Sequence, residues 1–156
     1  MLTIAIPGGA PLCITNLLLD YNGTLARDGE LLPGVAERLQ ALAAHLDIHV
    51  LTADTHGTVA EKLAGLPCRL AVIGSDRQDQ RKLEYLAEIA CKNTVAVGNG
   101  RNDALMLREA LLGICLVQEE GAATLAMTAA DVVARNIVDV LDMFIYPSRL
   151  VATLRN

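Results

Sequence analysis

Apolar, strand-like runs alternate with helix-period segments along the whole chain, and this alternation limits the fold more than any other feature. Ile14–Asp20 reads as a buried strand. Ile48–Leu51, Leu70–Ile73, Thr94–Val97 and Gly113–Val117 read as four more, and Val132–Val133 as a short sixth. Pro33 can open the first helix, because its missing N–H has no intrahelical partner at that position. Val35, Leu39, Leu42 and Leu46 then give one apolar face at helical spacing. Asp54 or Thr55 is placed to cap a helix running to about Leu63. Further helices are expected over Asp79–Cys91, Asn102–Ala110 and Glu120–Met127, and from about Ile137 to Leu154 with a break at Pro147. Leu2–Ile6 reads as an edge strand or hairpin arm. Strands alternating with helices predict a doubly wound, Rossmann-like α/β fold, with a mainly parallel sheet of five to six strands flanked by helices. No repeat, low-complexity tract or linker interrupts the pattern, so residues 1–156 are expected to form a single domain.

Composition narrows the function classes. Aromatics make up only 3% of the chain, and its apolar share is mostly Ala, Val, Leu and Ile, which suits a buried parallel sheet. The net charge of −5, with no basic stripe and no aromatic interleaving, argues against a nucleic-acid partner. The longest apolar runs, Cys13–Leu19 and Ala110–Val117, fall well short of the roughly 20 residues that span a bilayer. No basic segment precedes an apolar N-terminal stretch, so a cytoplasmic location is expected. Cys13, Cys68, Cys91 and Cys115 form no Cys-x-x-Cys pair and read as buried structural thiols. His45, His49 and His56 lack metal-ligand spacing and read as surface or helix-end residues.

A doubly wound sheet binds ligands at the carboxyl ends of its strands. Asp20, Thr52 and Asn99 each end or follow a strand, and Lys82 lies near a helix start. A carboxylate after Leu17-Leu18-Leu19 is costly to bury unless paired or coordinated. Taken singly the other residues are ordinary: Asn22-Gly23 is a turn signal, Asp54 a helix cap and Lys82 a solvated helix lysine. Spacing alone leaves Arg81 or Lys62 equally able to be the basic partner.

Taken together, the residues carry a resemblance. Asp20-Tyr21-Asn22-Gly23-Thr24-Leu25 resembles the first motif of the haloacid-dehalogenase-like (HAD) superfamily, Asp-x-Asp-Gly-Thr followed by Leu or Val. Leu51-Thr52-Ala53-Asp54 resembles the second, Lys82 stands where the third-motif lysine would lie, and Gly98-Asn99-Gly100-Arg101-Asn102-Asp103 is similar to the fourth, Gly-Asp-Gly-x-Asn-Asp. The likeness spans residues 14 to 135 and is nearest to the phosphorylation domain of P-type ATPases. It implies a phosphohydrolase or phosphotransferase acting on a phosphorylated substrate, small or macromolecular. Asp20 would be the phosphate-accepting nucleophile, with Thr52, Ala53, Gly23 and Lys82 binding phosphate. Mg²⁺ would be held by the Asp20 carboxylate, the Asn22 carbonyl and the Asn99 side chain, with Asp103 assisting. The intervals between motifs leave no room for a cap domain. Only Ala26–Leu32, with Asp28-Gly29, offers a small flap, so substrate selection would come from a partner. The apolar tail around Val138–Leu150 is a candidate homo-oligomer contact or, equally, packs on its own sheet.

Two positions depart from that pattern. Asn22 stands where a second Asp serves as general acid and base, help typically worth about 10² to 10⁴ in rate. Asn99 stands where an Asp ligates Mg²⁺, a hard cation that prefers charged oxygens. Slow turnover and weak metal binding are therefore expected. The competing reading is a HAD-fold protein that binds phosphate ligands or a partner without efficient turnover. A receiver-like signalling domain is disfavoured by the Gly98–Asp103 element and by the lack of an acidic pair near the first strand. Both amides precede glycine, so ageing is expected to deamidate them.

Overall fold

In the computed structural model, which describes residues 1–54 and 57–156, the alternation becomes a layered α/β domain. Strands β1 (Leu2–Ile4) and β2 (Leu12–Ile14) form an antiparallel hairpin of their own. Strand β3 (Asn16–Asp20) follows after Thr15, so the single strand expected over Ile14–Asp20 is split. The break falls at Thr15, whose N–H donates to the Asn93 carbonyl while its own carbonyl accepts from Asp47. Strands β4 (Ala26–Arg27) and β5 (Glu30–Leu31) are the expected flap, a minimal hairpin turning on Asp28 and Gly29, both at positive φ. Helix α1 (Val35–Leu42), β6 (Asp47–Thr52), α2 (Thr58–Lys62), β7 (Arg69–Val72), α3 (Gln78–Glu88) and β8 (Thr94–Gly98) come next. Helix α4 (Ala104–Glu109), β9 (Leu112–Leu116), α5 (Thr124–Ala129), β10 (Val132–Ala134), α6 (Ile137–Ile145) and α7 (Ser148–Leu154) complete the chain.

The main sheet has six strands in the order β10-β9-β8-β3-β6-β7, all parallel. Successive side chains of a strand face opposite sides, and each side has its own core. Leu17, Leu19, Val50, Val95, Val97 and Ile114 meet Leu39, Phe144 and Leu150 on one side. Leu18, Leu51, Ala96 and Cys115 meet Leu86, Met106, Leu107 and Ala126 on the other. The chain leaves β3 towards β6 on one side and returns through β8 on the other, so the order reverses at β3. That reversal opens the crevice in which such sheets bind ligands.

Several boundaries differ from expectation for local reasons. Pro33 does not open α1; the helix begins at Val35, after Gly34 at φ +83°, a left-handed conformation that breaks any helix started earlier. Helix α5 begins at Thr124 rather than Glu120, because a turn closed by Gly121 N–H to the Gln118 carbonyl occupies that stretch. The N-cap position of α2 is Gly57, but Asp54 still serves its first turn from further back, its Oδ2 accepting from Thr58 Oγ1 (2.7 Å) and Val59 N–H (2.9 Å). Thr55 and His56 lie outside the described residues. The C-terminal helices pack on their own sheet: Phe144 and Leu150 are buried, and Asp142 holds Arg38 of α1 at 2.7 Å. Among the described residues no helix is long and apolar enough to cross a membrane. The four cysteines are free, but only Cys115 is fully buried, where burial pushes its thiol up to about 11. Cys13, Cys68 and Cys91 are half-buried, against the expectation for them.

His49 corrects a second expectation. It is not at the surface but buried in β6, because the inward position it occupies faces α3. Its Nδ1 pairs with the Tyr85 hydroxyl at 2.8 Å, while Nε2 has no partner among the described residues. Burial lowers its pKa, so below its unfolded value of about 6.5 the unfolded chain takes up a proton that the folded chain resists. Stability contributed by neutral His49 is therefore full above that pH and lost below it. Melting curves of wild type and His49→Leu between pH 8 and 5 should show the variant gaining on wild type with acidification. Parallel curves would refute this.

Candidate active site

Asp20 closes β3 at the reversal point, between the ends of β6, which carries Thr52, and β8, which leads into Asn99. Lys82 reaches the same point from α3, one turn in from its start, and is 1% exposed. Its Nζ lies 2.6 Å from Asp20 Oδ1 and 2.5 Å from Asp103 Oδ1. This settles the basic partner that spacing left open. Arg81 instead donates to the Asp76 carbonyl, and Lys62 pairs with Glu30 of the flap.

The triad of two carboxylates and one ammonium is buried and carries a residual negative charge. Desolvation raises the Asp20 pKa to about 7, reinforced by the Asp103 charge and opposed by Lys82. Burial works against the Lys82 ammonium, but the two carboxylates together outweigh it and hold its pKa above the ordinary lysine value. Asp103 is fully buried and engaged at both oxygens: Oδ1 takes Lys82, and Oδ2 takes the N–H groups of Asn99 (3.0 Å) and Gly100 (2.8 Å). It therefore orients the loop after β8 and does not reach the cavity.

A cavity of about 220 Å³ opens over the triad, lined by Asp20, Asn22, Thr52, Ala53, Gln78, Lys82, Asn99, Gly100 and Asn102. Its floor is polar and its donors are preset. Thr52 Oγ1 is held by the Asp54 N–H at 3.1 Å. Among the described residues no acceptor takes the Asn22 or Ala53 N–H, and no donor takes the Asn22 carbonyl. Gly23 is different from expectation. Its N–H is spent on the Ala26 carbonyl (2.9 Å) and it does not line the cavity. Its requirement is steric, since a Cβ there would lie 2.7 Å from Asn99 Oδ1. The Asn99 amide donates to the Gly121 carbonyl (2.9 Å), leaving Oδ1 without a donor among the described residues.

Those features fit a divalent cation. One carboxylate, one free backbone carbonyl and one free amide oxygen converge beside a buried cluster with net charge −1, which a cation would neutralise. The set holds less negative charge than Mg²⁺ sites prefer. Deamidation is less favoured than the two Asn-Gly steps imply. It requires the following N–H nitrogen to attack the side chain, and those of Gly23 and Gly100 are both engaged in hydrogen bonds.

Sequence reasoning missed two supports. Gln78 lines the cavity and accepts from Asn102 Nδ2 at 2.5 Å; nothing in a surface glutamine at a helix start signals this. Gln118 donates to the Gly23 and Thr24 carbonyls, both at 3.0 Å, and so ties the first loop to the end of β9. Only the fold brings these residues together.

No protein-family model matches the chain. By sequence it is 40% identical over 79 residues to the uncharacterized protein MJ0073 of Methanocaldococcus jannaschii, covering 48% of this chain and 85% of that one. By structure it is similar to a Streptomyces avermitilis protein described as a HAD family hydrolase, with TM-score 0.68 and 19% identity over 89% of this chain and 86% of that one. It is also similar to the 3-deoxy-D-manno-octulosonate 8-phosphate phosphatase of Moraxella catarrhalis, solved with magnesium and phosphate ions. That match has TM-score 0.73 and 14% identity over 91% of this chain and 94% of that one. The chain has the haloacid-dehalogenase-like fold, and by sequence it belongs to one family with MJ0073.

Proposed function

We propose that the chain is a Mg²⁺-dependent phosphohydrolase or phosphotransferase working through an aspartyl phosphate on Asp20. The observation that carries this reading is the buried Lys82 bonded to Asp20 beneath a small cavity whose free donors suit a phosphoryl group. An Asp20 oxygen would form the bond to phosphorus as the bond to the leaving oxygen breaks, and the leaving oxygen would depart with that electron pair. Lys82, the Thr52 hydroxyl and the N–H groups of Asn22 and Ala53 would bind the phosphoryl oxygens and offset the charge that moves onto them. Asp20, the Asn22 carbonyl and Asn99 Oδ1 would hold Mg²⁺, which supplies further neutralisation of phosphate charge when bound. Asn22 cannot donate a proton as a carboxylic acid does, so the leaving oxygen must be stable as an anion or take its proton from water. Aryl phosphates and phosphoanhydrides should therefore outpace alkyl esters.

The test is hydrolysis of an aryl phosphate and of a phosphoanhydride by fresh protein, with and without Mg²⁺, beside an Asp20→Asn control. Activity that needs Mg²⁺ and vanishes in the control supports the enzyme. Activity equal to the control would favour the second reading, a phosphate-binding or partner-binding protein, for which Asn22 and Asn99 are the specific observations.

Restoring the missing charge should sharpen the site. Asn99→Asp is expected to lower the Mg²⁺ concentration for half-maximal binding about tenfold, following the preference of this ion for carboxylate oxygen. Mg²⁺ titration of melting temperature would check it. The carboxylate introduced by that substitution has no N–H to give the Gly121 carbonyl, so metal-free protein should lose a little stability. An unchanged Mg²⁺ midpoint would mean that the side chain at this position is not a ligand.

A further inference from the structure

A wide, open depression of about 540 Å³ adjoins the cavity over Asp20. It is lined by Ser75, Gln78, Asp79, Arg101 and Asn102, and shares Gln78 and Asn102 with the Asp20 cavity. These two residues, joined by a hydrogen bond of 2.5 Å, border both cavities. The inner cavity, about 220 Å³, has room for a phosphoryl group and little else, whereas the outer one falls in the range of small-molecule pockets. Whatever is attached to the phosphate must leave the inner cavity, and the outer one adjoins it directly.

The chemistry of the outer cavity is specific. Arg101 follows β8, and among the described residues its guanidinium makes no hydrogen bond or ion pair. Asp79, on the first turn of α3, also lines the cavity without pairing to Arg101. An unpaired guanidinium is a fork for carboxylate or phosphate oxygens. An unpaired carboxylate and the Ser75 hydroxyl are acceptors for hydroxyl or ammonium groups. No large apolar side chain lines the space, so specific recognition there falls to its polar groups.

We infer that this cavity is the leaving-group subsite, and that it selects small phosphomonoesters whose leaving group carries a second anionic group for Arg101 together with hydroxyl or ammonium donors for Asp79. The inference rests on reading the Asp20 cavity as a phosphate site. It supplies from this chain's own surface part of the selection that a capless fold otherwise leaves to a partner. Arg101 acts only in binding here, since the reacting atoms lie beyond Gln78 and Asn102.

Matched ligands test it without needing turnover. Calorimetric affinities would be measured on metal-free Asp20→Asn protein, with and without Arg101→Ala, for 3-phosphoglycerate against glycerol 3-phosphate. The same comparison would be made for fructose 1,6-bisphosphate against fructose 6-phosphate. The first pair isolates a carboxylate and the second an additional phosphate. Preference for the anionic member of at least one pair is expected, falling about tenfold in Arg101→Ala and partly kept in Arg101→Lys. Because Arg101 has no polar partner among the described residues, its replacement should leave the melting temperature in place, which separates lost recognition from lost structure. Equal affinity within both pairs, or a preference untouched by Arg101→Ala, would overturn the subsite whatever the hydrolysis assay shows. An Arg101-dependent preference in a protein without Asp20-dependent hydrolysis would keep the subsite and remove the enzymatic reading.

Discussion

Asp20→Asn is expected to abolish Asp20-dependent hydrolysis and, in metal-free protein, to raise the melting temperature at pH 8. The two effects have one cause. Asp20 stays ionised at pH 8 only against the cost of burial beside Asp103, and the rise of its pKa to about 7 measures that cost net of the Lys82 bond. A group whose pKa is raised in the folded state contributes stability that is complete below its unfolded value, near 4, and lost as pH rises through the folded value. Wild type therefore carries the full penalty above about pH 7 and almost none near pH 4. The amide carries none at either, and it leaves Lys82 paired with Asp103. The displacement corresponds to at most about 4 kcal/mol. Half of that would still move the melting point by roughly 4 to 8 °C in a domain of this size. The gain should shrink towards zero as pH falls to 4. Added Mg²⁺ should stabilise wild type and not the variant. A variant less stable than wild type at pH 8 would mean that the buried charge is not a burden, and retained hydrolysis would remove Asp20 as nucleophile.

How far such a site is legible in a sequence depends on whether its parts are local. The sheet was legible because strands buried on both faces leave continuous apolar runs such as Leu17–Leu19 and Val95–Val97. The first and fourth motifs were legible because each is one loop at a strand end. The choice of Lys82 over Arg81 was not, since it turns on helical phase: Lys82 faces the sheet and Arg81 the solvent. Nor was the use of Asp103, whose carboxylate is engaged by Lys82 and two backbone N–H groups that only the folded loop brings together. The burial of His49 was missed for a related reason. A histidine in an apolar strand reads as an exception until the partner that accepts it, Tyr85 on the facing helix, is in place. Helix starts failed where a glycine or turn overrode an apparent signal, as at Pro33 and Glu120.

Lys82→Met should have the opposite sign to Asp20→Asn and a larger size. Methionine fills much of the lysine's volume, so packing against the sheet is nearly conserved, and the change isolates the charge. Removing it leaves Asp20 and Asp103, both held at one nitrogen in wild type, facing each other in a buried site with no cation. Breaking a buried ion pair from one side typically costs about 3 to 5 kcal/mol, enough to lower the melting point by roughly 10 °C. The loss should be greatest at pH 8 and relax on acidification, because a proton taken up by Asp20 ends the repulsion. Adding Asp20→Asn to Lys82→Met should restore much of the lost stability, since the second change removes one of the two charges that the first exposed. That non-additivity is the signature of a coupled triad. Additive effects would mean that the Lys82 charge is not coupled to the Asp20 carboxylate. Function separates from folding in the same series. The double variant is expected to be stable, yet to bind inorganic phosphate more weakly than Asp20→Asn alone. The difference between those two affinities reports what the Lys82 charge contributes to holding a phosphate.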